Sequence, residues 1–247
     1  EIRKVFKSKV MLKNYKNIIF WTNNRIYNWF LIRDKKLGDV IIDTGAPVVY
    51  PKIRLICKLY TFKPKYVLLT HGHADHAGNM QKIANYFGAK VVCHKYEKVY
   101  ITNQIKRPRR DYTGINPFGR VIQFGDSLFG DPIYKNVYSY DEAPEIHSSF
   151  SFHLMQGHTR GSTIIKHIET GSIFLGDTLH NERAIYLYPK KELVYPYPYF
   201  CENHSLAVRN LQQLKSIAFE NAFFGHGEPI LHQAKKDISL FLDRTRN

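Results

Sequence analysis

The sequence is organised around the stretch Thr70-His71-Gly72-His73-Ala74-Asp75-His76-Ala77-Gly78, which directly follows the apolar run Tyr66-Val67-Leu68-Leu69. In an extended backbone the side chains of His71 and His73 share one face, and a turn would bring Asp75 and His76 to a second point. Imidazole and carboxylate groups suit zinc, iron, manganese or nickel, with zinc the default on ligand softness and availability. The stretch therefore predicts a metal-binding loop at a strand end, with two adjacent metal positions.

Length and composition predict one compact globular domain spanning residues 1–247, because the chain has 247 residues and 44% hydrophobic content. No apolar run reaches the roughly 18 residues that a membrane-spanning helix needs. The three cysteines, Cys57, Cys93 and Cys201, are odd in number and lack a C-x-x-C spacing, which argues against a disulfide framework and a cysteine-zinc site. A cytoplasmic location is predicted, with a removed leader as the open alternative because the sequence starts at Glu1 without Met.

The chain is basic, with 36 Lys and Arg against 21 Asp and Glu and a formal net charge of +15. Such a charge favours acidic partners through long-range steering but names none of them. Nucleic acid is the less favoured partner, since binding it would need clustered basic residues together with a reading element. The segment 103–120 contains the run Lys106-Arg107-Pro108-Arg109-Arg110 and predicts either a lid loop or a solvated basic loop without a role.

Apolar periodicity and turn residues divide the chain into parts. Residues 9–43 predict a β-meander, and residues 54–93 predict strands that alternate with helices, where Gly88 ends one helix. Residues 121–175 return to short strands and predict a second sheet, with strands at 121–124, 133–138, 150–155, 163–168 and 172–175. The last predicted elements are a helix at 204–217, a strand at 222–224 and a helix at 232–242.

Four ligand groups split over two positions cannot hold two ions well, so further ligands are expected from elsewhere in the chain. Three more apolar strands end in a glycine followed by a candidate ligand: Gly157-His158, Gly176-Asp177 and Gly225-His226. Together the seven nitrogen and oxygen groups would be enough for two ions that keep open positions for water and substrate.

These motifs resemble, in their order, those of the metallo-β-lactamase-fold hydrolases, which include β-lactamases, lactonases, glyoxalase II and ribonuclease Z. The matching motifs are Asp43-Thr44-Gly45, His71 to His76, Gly157-His158-Thr159-x-Gly161-Ser162, Gly176-Asp177-Thr178 and Gly225-His226-Gly227. The resemblance covers nearly the whole chain. It implies an α/β (α+β) fold, a four-layer αββα sandwich with the site at one edge between the two sheets.

The resemblance also implies a ligand set for two divalent ions, with zinc first and iron or manganese as alternatives. The implied ligands of one ion are His71, His73 and His158; those of the other are Asp75, His76 and His226, with Asp177 bridging the two. Because Asp177 stands where some β-lactamases carry a cysteine ligand, the chain looks like the dinuclear members. Asp43 would hold a ligand imidazole in its tautomer.

The mechanism expected of such a site relies on the two ions. A water that bridges them has its pKa lowered from about 15.7 toward about 7, so hydroxide is available at neutral pH. That hydroxide is the expected nucleophile, and one ion would polarise the substrate oxygen. Asp75 is the expected catalytic carboxylate, which would orient the nucleophile and pass a proton to the leaving group.

Four residues are candidate substrate contacts: His180, Arg160, Tyr195 and Tyr197. His180 lies three positions after Asp177, where the similar lactonases carry a tyrosine that touches substrate. Arg160 replaces the proline that commonly stands in the family's Gly-His-Thr-Pro-Gly motif, and it would bind a carboxylate or phosphate or only relax that loop. The tyrosine-rich segment 181–202 predicts an aromatic wall for a small acyl substrate, or else a sheet-edge cover or a homodimer contact.

Three functional classes follow from these residues. The leading hypothesis is a lactonase-like hydrolase that cleaves a carbonyl substrate, namely a lactone, ester or thioester, with a β-lactam less favoured. The alternative is a phosphodiesterase or nuclease acting on RNA, DNA or a nucleotide, which the net charge and the Arg107 to Arg110 cluster favour. A metal-binding protein without turnover, such as a redox di-iron domain, is the third.

Overall fold

The computed structural model describes residues 11–22, 27–108, 130–182 and 191–244. These residues form two β-sheets that share a core, with helices packed on both outer faces, so the predicted four-layer αββα sandwich is confirmed. The first sheet has seven strands in chain order: β1 (Met11–Tyr15), β2 (Ile18–Thr22), β3 (Asn28–Asp34), β4 (Gly38–Ile42), β5 (Tyr66–Leu68), β6 (Lys90–Cys93) and β7 (Val137–Ser139).

The second sheet has four strands in the spatial order β11, β10, β9, β8. Their bounds are β8 (Phe150–Leu154), β9 (Thr163–His167), β10 (Ser172–Phe174) and β11 (Asn221–Phe223). The α-helices are α1 (Tyr50–Leu59), α2 (Ala74–Ala77), α3 (Met80–Phe87), α4 (Lys95–Ile101), α5 (His204–Asn210) and α6 (Ala234–Arg244).

The core between the sheets is built from side chains that alternate along each strand, since successive strand residues point to opposite faces. Phe30, Ile42 and Leu68 of the first sheet face inward and are buried. Phe174 and Phe223 face them from the second sheet, and the ring centroids of Phe30 and Phe174 lie 4.9 Å apart. This apolar contact holds the two sheets together.

The outer faces of the sheets are covered by helices. Leu31 and Val67 of the first sheet pack in one cluster with Ile53 of α1 and Ile83 of α3. On the other side, the outward residues of β9, β10 and β11 form a cluster with residues of α6 and of the 3-10 helix Leu211–Lys215. Both faces of each sheet are therefore buried, which explains why the central strands are almost continuously apolar.

One edge of the sandwich collects the ends of strands from both sheets. β4, β5 and β6 are parallel, and so are β10 and β11. β8 runs in the same direction as β10, because both are antiparallel to β9. The carboxyl ends of β5, β8, β10 and β11 therefore meet at this edge, and the four predicted ligand motifs follow these strands.

Two sequence predictions are wrong in detail. The strand expected at 133–138 in the second sheet is β7, which pairs in parallel with β6 in the first sheet. Apolar alternation predicts the buried face of a strand but not its partner, and this is the physical reason for the error. The helix expected at 204–217 is α5 followed by the 3-10 helix Leu211–Lys215.

Other predictions are confirmed or lie outside the described residues. Gly88 ends α3 in a left-handed conformation with a φ of 70°, as predicted. All three cysteines are unpaired. Within the described part of the chain, none of the helices combines the length and the apolar character needed to cross a bilayer. The predicted strand 121–124, residues 109–120 of the predicted lid loop and residues 183–190 of the aromatic segment lie outside the described residues.

Candidate metal centre

The short helix α2 divides the ligand candidates of the loop after β5 into two groups. His73 stands at the N-cap of α2 with an extended backbone, and α2 then turns the chain through Asp75 and His76. His71 and His73 therefore lie on one side of the turn, and Asp75 and His76 on the other. The side chains of His71, His73 and His76 are all buried.

The three-histidine cluster consists of His71, His73 and His158, whose ring nitrogens converge. His71 Nε2 lies 3.1 Å from His73 Nδ1 and 3.2 Å from His158 Nε2. The third separation, His158 Nε2 to His73 Nδ1, is 3.0 Å. A tetrahedral zinc ion with bonds of about 2.1 Å separates its ligand atoms by about 3.4 Å, so the triangle has nearly the size that such an ion requires.

The mixed cluster consists of Asp75, His76, Asp177 and His226. Asp177 Oδ1 lies 3.0 Å from His76 Nε2 and 3.2 Å from His226 Nε2. Asp75 Oδ2 lies 3.8 Å and 3.4 Å from the same two nitrogens. The other oxygen of Asp177, Oδ2, lies 3.5 Å from His158 Nε2, so a single carboxylate faces both clusters.

Asp43 contacts both the start of the metal-binding loop and one imidazole of the mixed cluster. Its Oδ1 accepts a hydrogen bond from the backbone N–H of Thr70 at 2.9 Å, and its Oδ2 accepts the Thr70 hydroxyl at 2.8 Å. Oδ2 also lies 2.9 Å from His76 Nδ1. A proton on Nδ1 would thus be bonded to Asp43, leaving His76 Nε2 directed at Asp177 and Asp75.

The electrostatics of the two clusters differ. Burial, together with the nearby rings of His76 and His158, lowers the pKa of His71 well below its ordinary value. For His76, burial acts to lower the pKa, but the carboxylates of Asp177, Asp75 and Asp43 raise it well above its ordinary value. His71 therefore offers a neutral nitrogen lone pair, while the carboxylates around His76 attract a cation.

The residues present fit a pair of divalent ions. His76 Nε2 and Asp177 Oδ1 are buried atoms with no hydrogen-bond partner among the described residues, although they face each other. Buried polar atoms are normally paired, and a metal ion would satisfy both of them. The donor set of five imidazoles and two carboxylates is one that zinc, iron and manganese accept.

Two of the four predicted substrate contacts lie together. His180 is buried, and its ring centroid lies 5.2 Å from that of His226 and 5.8 Å from that of Tyr197. Tyr197 in turn stacks on Tyr199 at 5.6 Å. Burial, more than any charge, lowers the pKa of His180 to about 3, so the ring is neutral.

The other two predicted substrate contacts, Tyr195 and Arg160, pack against aromatic rings outside the two clusters. Tyr195 packs on Phe241 of α6, with 5.0 Å between ring centroids, and joins the outer core of the second sheet. Arg160 is exposed, and its guanidinium lies 4.8 Å from the ring centroid of Tyr96. The roles of Tyr195 and Arg160 as substrate contacts stay predictions, and the packing of Tyr195 on α6 agrees with the alternative that this segment covers the sheet.

Two residues that the sequence does not single out contact the ligand loops. Thr44 donates its hydroxyl to the carbonyl of His76 at 2.9 Å and accepts the backbone N–H of Asn79 at 3.0 Å. Glu97 of α4 accepts the backbone N–H of Gly72 at 2.8 Å. Thr44 lies inside a motif that could have drawn attention to it, whereas no spacing or motif distinguishes Glu97.

Comparisons with known proteins agree with this geometry. The sequence matches the metallo-beta-lactamase superfamily over residues 22–226. The protein Rv2581c of Mycobacterium tuberculosis is 31% identical over 169 residues, which cover 64% of this chain and 70% of the relative. The probable metallo-hydrolase YybB of Bacillus subtilis is 23% identical over 209 residues, which cover 84% of this chain and 83% of the relative.

Solved structures share the fold. AidC, a dizinc quorum-quenching lactonase solved in complex with a product, is similar with a TM-score of 0.61 at 17% sequence identity. The similarity covers 88% of this chain and 90% of AidC. At this identity the likeness shows the fold alone, and it agrees with the four-layer sandwich.

The superfamily match runs from before β3 to the last candidate ligand and so includes every ligand motif. Members of the superfamily bind divalent metals, and the two clusters described above supply candidate ligands for them. The chain therefore belongs to the metallo-beta-lactamase superfamily and is a metallo-hydrolase.

Proposed function

We propose that this metallo-hydrolase cleaves a carbonyl substrate, namely a lactone, ester or thioester, with one zinc ion in each cluster. The single observation that carries the proposal is the position of Asp177, whose two oxygens face His76 at 3.0 Å and His158 at 3.5 Å. A carboxylate placed in this way can be shared by two ions. When bound, such ions supply a water-derived nucleophile at neutral pH and polarise the scissile carbonyl.

The residues of this chain have separate roles in the proposal. His71, His73 and His158 would hold one ion, Asp75, His76 and His226 would hold the other, and Asp177 would be shared. Asp75 has the most exposed side chain of the mixed cluster, at 38%, and its Oδ2 is within 4 Å of two imidazoles. It is therefore placed to accept a proton from the nucleophile and to deliver it to the leaving group.

The aromatic surroundings of His180 favour a carbonyl substrate over a phosphodiester, because pockets for acyl groups are mostly apolar. The imidazole of His180, which lies beside His226, can donate a hydrogen bond to an ester or lactone oxygen. Tyr197 and Tyr199 add stacked aromatic surface beside it, which suits an acyl chain. Arg107, part of the basic run that favours a nuclease, has a largely buried side chain that is bonded to Glu97, so little of its charge is available to a nucleic acid.

A substrate panel tests the proposal. Metal-free protein would be loaded with Zn²⁺, or in parallel with Mn²⁺ or Fe²⁺, and given short and long acyl lactones, aryl esters and thioesters. We expect acyl turnover that falls by more than about 100-fold in His73→Ala and in Asp177→Ala. Removing a residue that only hydrogen-bonds a metal ligand typically lowers activity by about 10–100-fold, and removing the ligand itself should lower it further. The measurement is kcat/KM with metal content determined on the same samples.

The matched control is His153→Ala, which removes a half-buried histidine on β8 that belongs to neither cluster. This variant should keep the activity and the metal content of the wild type. Bis(p-nitrophenyl) phosphate and RNA complete the panel. Cleavage of either one without acyl turnover would contradict the carbonyl proposal and support the phosphodiesterase class.

A further inference from the structure

A buried ion pair lies beside the three-histidine cluster and outside the candidate ligands. Glu97 of α4 is fully buried, and Arg107 Nη2 lies 2.6 Å from its Oε2. The Arg107 side chain is itself only 8% exposed. Burying two charges costs several kcal/mol unless their hydrogen-bonding groups are satisfied, so both side chains are expected to have further polar partners.

Glu97 bonds to both loops that carry the three-histidine cluster. Its Oε2 accepts the backbone N–H of Gly72, the residue between His71 and His73, at 2.8 Å. Its Oε1 accepts the hydroxyl of Thr159 at 2.6 Å and the backbone N–H of Gly161 at 3.0 Å. Thr159 directly follows His158. One carboxylate thus joins two loops that lie far apart in the sequence.

Arg107 extends the same network to the other side of His158. Its Nη1 lies 3.1 Å from Glu202 Oε1, and Glu202 Oε2 accepts the backbone N–H of Arg160 at 2.9 Å. The backbone N–H of Glu202 donates to the carbonyl of His158 at 2.9 Å. The loop from 158 to 161 is therefore held by Glu97 from one side and by Glu202 from the other.

The close approach of Glu97 also explains a glycine of the motif. A Cβ added to Gly161 would lie 2.6 Å from Glu97 Cγ and 2.7 Å from its backbone nitrogen. Neither distance is tolerated by real Cβ atoms, so any side chain at 161 would push the loop away from α4. The glycine at this place is required by contact with Glu97 rather than by its own backbone angles.

We propose that Glu97, with Arg107 as its charge partner, is a positioning residue that sets the spacing of the three-histidine cluster and thereby its metal affinity. The proposal rests on the proposed function, since it takes His71, His73 and His158 as ligands. Glu97 acts on the cluster through its hydrogen bonds to Gly72, Thr159 and Gly161. It therefore affects one of the two metal positions selectively.

The test measures the affinity of each metal position separately. His226→Ala keeps the three-histidine cluster intact, and His73→Ala keeps the mixed cluster intact. Glu97→Gln would be added to each background. Glutamine has the shape of glutamate, but its NH₂ group replaces one oxygen that accepts two hydrogen bonds in the wild type. We expect a 10–100-fold weaker Zn²⁺ affinity in the His226→Ala background and a change of less than about threefold in the His73→Ala background, measured by competition with a chromophoric chelator.

The Co²⁺ absorption spectrum gives a second readout that is independent of activity. Changed spacing of three imidazoles should alter the d–d bands of Co²⁺ in the His226→Ala background when Glu97→Gln is added. If Glu97→Gln does not fold, Arg107→Lys serves instead, because lysine keeps the charge but cannot bond Glu97 and Glu202 in the same geometry. It should weaken the same metal position.

The matched control is Asp34→Asn, which changes another buried carboxylate that joins distant segments but contacts no ligand loop. It should lower thermal stability and leave both metal affinities unchanged. Equal weakening of both positions, or unchanged affinities in Glu97→Gln, would overturn the inference. If the wild type binds fewer than two ions, the proposed function itself fails, so the two failures are distinguishable.

Discussion

Asp43 shows how much of the site depends on a residue that belongs to neither cluster. Its backbone has a φ of 52°, in the left-handed region, which turns the chain at the end of β4. Its carboxylate accepts two hydrogen bonds from Thr70 and contacts His76 Nδ1. The residue therefore fixes the entry of the metal-binding loop and the orientation of one ring of the mixed cluster.

Asp43→Asn should weaken metal binding without unfolding the protein. Asparagine adopts positive φ more readily than most residues, so the turn should be kept. The amide is uncharged and would orient His76 less well, so we expect a 10–100-fold lower Zn²⁺ affinity at the mixed cluster, measured in the His73→Ala background. Asp39→Asn is the control, since Asp39 pairs with Arg33 away from the site. Equal affinities for Asp43→Asn and the control would contradict the role assigned to Asp43.

At the scale of elements, the loop after β8 is shaped by its contact with α5. Asn203 caps α5 by accepting the backbone N–H of Leu206, and its own N–H donates to the carbonyl of Gly157. Gly157 has a φ of 136°, which is essentially restricted to glycine. A Cβ at this position would lie 2.2 Å from the backbone nitrogen of Ala207 in α5.

Gly157→Ala should therefore lower the free energy of unfolding by about 2–4 kcal/mol, because backbone strain and overpacking add. Gly88→Ala is the matched control: its φ is 70° and no atom lies within 4 Å of the added Cβ. That variant should lose only about 1–2 kcal/mol, the cost of a left-handed alanine. Urea unfolding of the metal-free proteins gives both values. A loss for Gly157→Ala no larger than that for Gly88→Ala would disprove the contact.

At the scale of the whole molecule, the two sheets are also joined at the end opposite the metal centre. Asp34 ends β3, and its Oδ2 lies 3.0 Å from Nε2 of His167 at the end of β9. Its Oδ1 accepts the Ser149 hydroxyl at 2.8 Å. Burial acts to raise the pKa of Asp34, but the bonds from Leu37, His167, Ser149 and Lys36 together lower it below its ordinary value.

A carboxylate whose pKa is lower in the folded state stabilises the protein above its unfolded pKa of about 3.9. This contribution is lost as the pH falls through the folded value. Asp34→Asn should thus cost about 1–3 kcal/mol at pH 7, and the difference from wild type should shrink below about pH 4. Urea unfolding of metal-free proteins from pH 7 to pH 2.5 measures it. A difference that stays constant over this range would show that the charge of Asp34 contributes nothing.

The sequence predicts which side chains converge in the two clusters, because each of them follows an apolar strand in a short local motif. His71, His158, Asp177 and His226 could be found without knowing how the sheets pack. Likewise β6 is predicted at its observed bounds, since Lys90–Cys93 lies between a helix-ending glycine and the next helix.

The rest of the site depends on contacts between distant residues, which local patterns do not contain. Glu97 meets Thr159 across 62 positions and Gly72 across 25, and a glutamate on a helix is usually a solvated residue. The sequence places Arg107 in a basic cluster, but in the structure three carboxylates surround its side chain. Only the packing of α4 between the ligand loops distinguishes these residues from ordinary surface charges.

The two clusters are completed at different points along the chain, which matters while the protein is being synthesised. The amino-terminal half of a chain emerges first during synthesis, and contacts between distant residues form late in folding. The last residue of the three-histidine cluster is His158, whereas the mixed cluster is complete only with His226. A chain that ends between these two residues would therefore contain every side chain of the first cluster and lack one of the second.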